Sequence, residues 1–203
     1  MFRATAARPV RPRLRLRLRL RWSRLTAILA SSLLLAGSLL TSSPTAVAAP
    51  TGVLDLTCVP PSSGVSTYSP PLTNTPQMVA ATISFQLGPC TSRETPQVTS
   101  GTATLNSAPR TRSCADLLGS ASRTLVINWN TGETSTLALN VSTSVVGAVL
   151  ESVLTGTVSS GRFQGDTVAM DQTGPATSVL TCTAGLGTVA SIYSVVTLEI
   201  TSL

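Results

Sequence analysis

RTLVINWNTGETSTLALNV, residues Arg123–Val141, is the stretch that decides the fold class. Leu125, Ile127 and Trp129 alternate with their neighbours, the pattern breaks at Asn130-Thr131-Gly132, and it resumes at Leu137, Leu139 and Val141. Successive side chains of a pleated strand point to opposite faces, so period-two alternation puts the apolar set on one side of a half-buried strand. A three-residue turn with glycine in the left-handed position accounts for the interruption. The stretch therefore reads as a β-hairpin, with Trp129 on its apolar face.

The same period recurs outward from this hairpin. In Val79–Leu87 the residues Val79, Ala81, Ile83, Phe85 and Leu87 share one face. A second hairpin is expected from Thr155–Val158 and Arg162–Met170, joined at Ser159-Ser160-Gly161. A last strand, Val189–Ile200, turns Ala190, Ile192, Val196, Leu198 and Ile200 inward. Further strands are expected at Val53–Val59, Gln97–Leu105 and Thr177–Thr183, about nine in all. Val145–Leu154 also fits a helical face through Val146, Val149, Leu150, Val153 and Leu154; β-branching and Gly147 favour strand. Between the first two strands, Pro60–Pro76 is short of ladder donors and reads as an ordered loop or edge.

Serine and threonine make up 48 of the 155 residues after position 48. With valine leading the apolar types, that β-branched composition suits strands. Short strands between Gly, Pro and Ser turns, without helical patterns, predict an all-β domain, an antiparallel sandwich or closed barrel.

Residues 1–48 carry the order of a secretory signal peptide. Nine arginines and no acid occupy positions 1–24, the apolar run Leu25–Leu40 follows, and a segment ending in Ala46-Val47-Ala48 closes it. The apolar run is shorter than the roughly 20 residues that span a bilayer as a helix. Cleavage after Ala48 or Ala49 is expected, leaving residues 49–203 as one domain, secreted and without membrane attachment. The formal charge of +6 belongs to the removed part: beyond Ala48, five arginines stand against eight acids, a net charge of −3. Such a balance lacks the basic stripe that nucleic-acid binding uses.

All four cysteines, Cys58, Cys90, Cys114 and Cys182, lie in the exported part. An even number of thiols in an oxidising space predicts two disulfides rather than metal or redox chemistry, since no C-x-x-C spacing exists. Three pairings are open. Cys58–Cys90 with Cys114–Cys182 is preferred because it ties the two halves of the chain separately.

The segments TYSPPLTNTPQ (Thr67–Gln77), SCADL (Ser113–Leu117), INWNTGETST (Ile127–Thr136) and GTVSSGRFQGD (Gly156–Asp166) resemble those of small exported proteins of high-GC actinobacteria. In that group a Trp-x-x-Gly-x-x-Ser hairpin is followed by a Gly-Arg-Phe-x-Gly-Asp hairpin and a late cysteine, here Cys182. The resemblance implies a shared secreted β architecture, and no activity that attaches to a particular residue.

The inventory closes most chemistries. The chain contains no histidine and no lysine, so Ser-His-Asp and Cys-His couples, histidine-ligated zinc, Schiff bases and Ser-Lys dyads are excluded. No nucleophile elbow or phosphate-cradling loop is present. Carboxylates remain: Asp116, Glu133, Glu151, Asp166, Asp171 and Glu199 are sparse and read as solvated surface acids. Asp166 and Asp171 lack the loop pattern of a calcium site and read as turn caps. Neither a catalytic residue nor a cofactor or metal is assigned. The expected function is a non-enzymatic extracellular domain with a cell-envelope, binding or structural role, its ligand an unknown extracellular or cell-wall partner. The alternatives are a carboxylate-dependent polysaccharide hydrolase and an inhibitor of secreted proteases presenting Thr91–Pro96 beside Cys90.

Overall fold

The central hairpin forms as its alternation requires. In the computed structural model, which describes residues 52–202, β6 (Gly119–Trp129) pairs antiparallel with β7 (Thr134–Val146), with Leu125 opposite Leu137 and Arg123 opposite Leu139. The Trp129 N–H donates to the Glu133 carbonyl at 2.9 Å across the three-residue loop, and Gly132 takes a φ of 85°. Leu125, Ile127, Trp129, Leu137, Leu139 and Val141 are all buried.

Eight strands continue this pairing into a closed antiparallel barrel. They are β2 (Ser63–Leu72), β3 (Gln77–Leu87), β5 (Gly101–Arg112), β6, β7, β8 (Val149–Gly161), β9 (Thr167–Pro175) and β10 (Val189–Thr201), and β10 returns to β2. Two short strands are added outside the circuit: β1 (Leu54–Cys58) pairs with the end of β10, and β4 (Cys90–Ser92) pairs with β1. The one edge of β10 is thus shared, its first half with β2 and its second with β1. The interior is an apolar core in which Leu56, Ile127, Leu137, Met170, Leu198 and Ile200 are fully buried. Outward positions such as Thr102, Thr104, Asn128 and Asn140 are polar and exposed. Cys58 bonds to Cys90 and Cys114 to Cys182. No helix among the described residues is long and apolar enough to cross a membrane.

The structure corrects several expectations. The strand expected at Thr177–Thr183 is a helix, α1 (Thr177–Thr183). Val179 and Cys182, three residues apart, are its buried residues, while the Thr181 and Thr183 hydroxyls donate to the carbonyls of Thr177 and Leu180. A one-turn periodicity and back-bonded hydroxyls outweigh β-branching here. Pro60–Pro76, read as loop or edge, contains β2, a closing strand of the barrel. Its pairs with β3 cover Ser63–Ser69, so Pro60, Pro61, Pro70 and Pro71 all fall outside that ladder. The second hairpin turns at Arg162–Asp166 rather than Ser159–Gly161, because Ser160 and Gly161 still pair with Thr136 and Ser135 of β7. β5 begins at Gly101, later than the expected Gln97, and runs on to Arg112. Ala190 is exposed, since a register shift between Val189 and Ser191 buries Val189 instead. Val145–Leu154 is strand on both sides of a tight turn at Gly147-Ala148, where Gly147 has φ 61°. Ten strands are present among the described residues, one more than the nine or so expected. The signal-peptide reading and its cleavage site lie outside the described residues.

Candidate ligand-binding slit

β5 and β6 are consecutive in the barrel, yet among the described residues they pair only at Gly101–Ala103 against Trp129–Ile127. That is the end remote from their own connection. Gly101 permits the close approach there, since a Cβ on it would lie 2.7 Å from the Trp129 ring. Toward the connection the strands part. The connecting residues form a 3₁₀ turn, Cys114–Leu117, tied to α1 by the Cys114–Cys182 bond and to the chain after β2 by the Cys114 N–H donating to the Thr73 carbonyl. A slit of about 500 Å³ results, walled by Ile83, Leu105, Ala121 and Thr124. It adjoins a smaller recess of about 110 Å³ that includes Tyr68, Asp116 and Ile192, and the two share Arg110, Arg112 and Arg123.

Three of the five arginines beyond Ala48 therefore meet at one opening. Burial pulls the Arg123 guanidinium below its ordinary value, and the Arg110 charge acts in the same direction against the opposing influence of Tyr68. Arg112 is lowered likewise, by burial first and Arg110 second. Burial raises the Tyr68 phenol. The two arginine shifts mark charges that are partly stripped of water and crowded by their own sign, and the Tyr68 shift marks burial alone. The Arg112 Nη2 donates to Ser107 Oγ, while its buried Nε has no hydrogen-bond partner among the described residues. The one carboxylate lining these spaces, Asp116, is already committed: the Ser113 N–H and hydroxyl donate to it at 2.7 and 2.8 Å. Those bonds hold the Asp116 carboxyl below its ordinary range. A fork of guanidinium donors with apolar and hydroxyl walls is suited to holding an anion.

The opposite end of the barrel carries the other sign. Asp55, Glu94, Glu133 and Asp166 line a cleft of about 650 Å³ together with Arg162 and Phe163. Arg162 pairs with Glu133 at 3.7 Å and lies 5.4 Å from the Phe163 ring centre. Asp166 is raised, by burial first and then by a hydrogen bond to, and the charge of, Asp55. Of the carboxylates singled out from the sequence, the structure brings Glu133 and Asp166 together here, sets Asp116 in the recess beside the slit, and leaves Glu151, Asp171 and Glu199 on separate strands. No group of three or more metal-ligating side chains is gathered among the described residues. Thr91–Pro96 folds back on the core: the Thr95 N–H donates to Ser92 Oγ at 3.0 Å and Thr95 is buried, leaving Arg93 and Glu94 exposed at the tip.

Sequence reasoning missed Asp55 and Glu94, and it missed the arginine cluster. The available signal was the crowding of Arg110, Arg112 and Arg123 into 14 residues of a stretch, beyond Ala48, that holds only two other arginines. No protein-family model, curated protein or solved structure matches this chain.

Proposed function

We propose that the protein is a secreted, non-enzymatic binding domain that takes an anionic ligand in the slit between β5 and β6. The observation that carries this reading is the convergence of Arg110, Arg112 and Arg123 on one opening of a domain with net charge −3 beyond Ala48. Desolvated like charges with an unpartnered donor are costly in a free protein and are relieved when a counter-charge arrives. Two disulfides suit an oxidising extracellular space. An apolar interior under a hydroxyl-rich exterior is the reverse of a transmembrane barrel, which supports a water-facing domain. The absence of histidine and lysine from the chain supports binding over catalysis.

The polysaccharide-hydrolase reading rests on the acidic cleft. Its Asp55–Asp166 pair is hydrogen-bonded, closer than the roughly 5–10 Å that separates the two carboxyls of a glycosidase, so that pair does not supply the acid and nucleophile. The binding reading is therefore the stronger.

Thermal melts in low salt with citrate, inorganic phosphate, sulfate or polygalacturonate test it. A ligand at 100 times its Kd should raise stability by about 2.7 kcal/mol. Arg123→Gln should abolish that gain while leaving the ligand-free protein as stable as wild type or more so, because it removes a crowded charge. No stabilisation by any of the four anions, or stabilisation that Arg123→Gln and Arg112→Gln both leave intact, would overturn the proposal.

A further inference from the structure

The slit is more than a cluster of cations, because its walls are strand edges. β5 is bonded to β3 along one side from Gly101 to Arg112, and β6 is bonded to β7 from Gly119 to Asn128. Their facing sides meet at Gly101–Ala103 and Ile127–Trp129 alone. From Gly119 to Val126, the β6 edge that faces β5 has no strand partner among the described residues, and neither has the β5 edge beyond Ala103. Backbone donors and acceptors aligned along a free edge are a template for another strand.

We propose that the occupant of the slit is an extended acidic peptide segment, added as a β-strand along β6. The inference rests on the anion-binding reading and names its ligand class. β6 is the better template, since Pro109 removes a donor from the facing stretch of β5. The wall contributed by β6, Ala121–Thr124, offers roughly 13 Å of edge at about 3.3 Å per residue, enough for about four peptide residues. Arg123 stands on that strand, with Arg110 and Arg112 across the gap, so acidic side chains on an inserted strand find guanidinium partners from both walls. A small anion would neutralise the arginines and leave both edges open; a strand serves the edges and the charges together. A second copy of the chain would bring its own basic slit against this one, and like charges disfavour that pairing.

A fluorescein-labelled peptide, acetyl-TEVEVET-amide, tests the proposal by anisotropy, with hydrogen exchange read over residues 119–126. Binding should weaken with salt, fall at least tenfold in Arg123→Gln or Arg112→Gln, and fall at least tenfold when the peptide's alternate amides are N-methylated on the bonding edge. Amides of Gly119–Val126 should exchange more slowly in the complex. The lysine counterpart, TKVKVKT, should not bind. Equal binding of the N-methylated peptide, or unchanged exchange on β6, would refute strand addition. Stabilisation by citrate or polygalacturonate without peptide binding would sink this inference and leave the anion-binding reading standing; failure of every anion and of the peptide would sink both. A ligand-free dimer in sedimentation that protects the same amides would assign the edge to a second copy and overturn the proposal. Melts of each variant verify that it is folded.

Discussion

Replacing Trp129 with alanine removes the largest side chain of the barrel core at the seam where β5 and β6 are joined. The indole is 3% exposed, lies against Gly101, and stacks edge-on to Phe163 with ring centres 5.9 Å apart. Its Nε1–H donates to the Ser135 hydroxyl at 2.8 Å, and Ser135 in turn donates to the Arg162 carbonyl at 2.6 Å. Truncating a buried tryptophan costs about 3–5 kcal/mol, and the lost aromatic pair is a further part of about 0.5–1.5 kcal/mol. Ser135 keeps its bond to Arg162, so no fully orphaned hydroxyl adds to the cost. Against a total stability of about 5–15 kcal/mol, a loss near 4 kcal/mol is severe. At about 2–4 °C per kcal/mol for a domain of this size, Tm should fall by about 8–16 °C. Trp129→Phe keeps most of the ring and loses the hydrogen bond, so its fall should be less than half as large. Calorimetry of the three proteins decides the matter. A fall below about 3 °C for the alanine variant, or equal falls for both, would refute the packing and register assigned to this hairpin.

Two further outcomes follow from backbone geometry and from charge. Gly161 has φ 88°, and a Cβ there would lie 2.1 Å from the Thr134 carbonyl oxygen, whereas Gly132 has φ 85° with open space around it. Gly161→Ala should therefore destabilise by well over the ~1 kcal/mol expected for Gly132→Ala, a contrast that urea unfolding of the two variants measures. Asp166 is raised in the folded state, so the fold binds its proton more tightly than the unfolded chain does. Stability from this group is greatest at low pH and declines as pH climbs from about 3.9 through the folded value. Asp166→Asn should melt above wild type at pH 7 and level with it near pH 3; equal melts at both pH values would contradict the Asp55–Asp166 contact.

Strand positions were legible where side-chain parity was unbroken. The Arg123–Val141 hairpin and Val79–Leu87 carry the alternation and appear in the expected register. Parity fails where a bulge intervenes, as between Val189 and Ser191, and there Ala190 was misassigned. Prolines in and around β2 hid a closing strand, because a proline forbids only the bonds it would itself donate and the ladder to β3 stops before Pro70. α1 was hidden by composition, since threonine hydroxyls that bond back within a helix turn look from sequence like strand residues. That the four cysteines form two disulfides was readable from their even number, and the preferred one of the three open pairings is the one found. The slit was not, because it depends on a pairing that stops after Ala103, and no residue type announces where two strands separate. The acidic cleft needed Asp55 of β1 beside Asp166 of the β8–β9 turn, a juxtaposition created by barrel closure.

The strand that closes this barrel is the last in chain order among the described residues. β10 joins β2 through pairs such as Val195 with Ser63, more than 130 positions apart, and the same strand holds β9 and β1. Until Val189–Thr201 docks, the other strands can form only hairpins and an open sheet. Contacts between such distant residues slow folding, because the loop entropy must be spent before the contact forms. Closure therefore waits on one segment: every ladder formed before β10 docks belongs to an open sheet, and a single strand turns that sheet into a barrel.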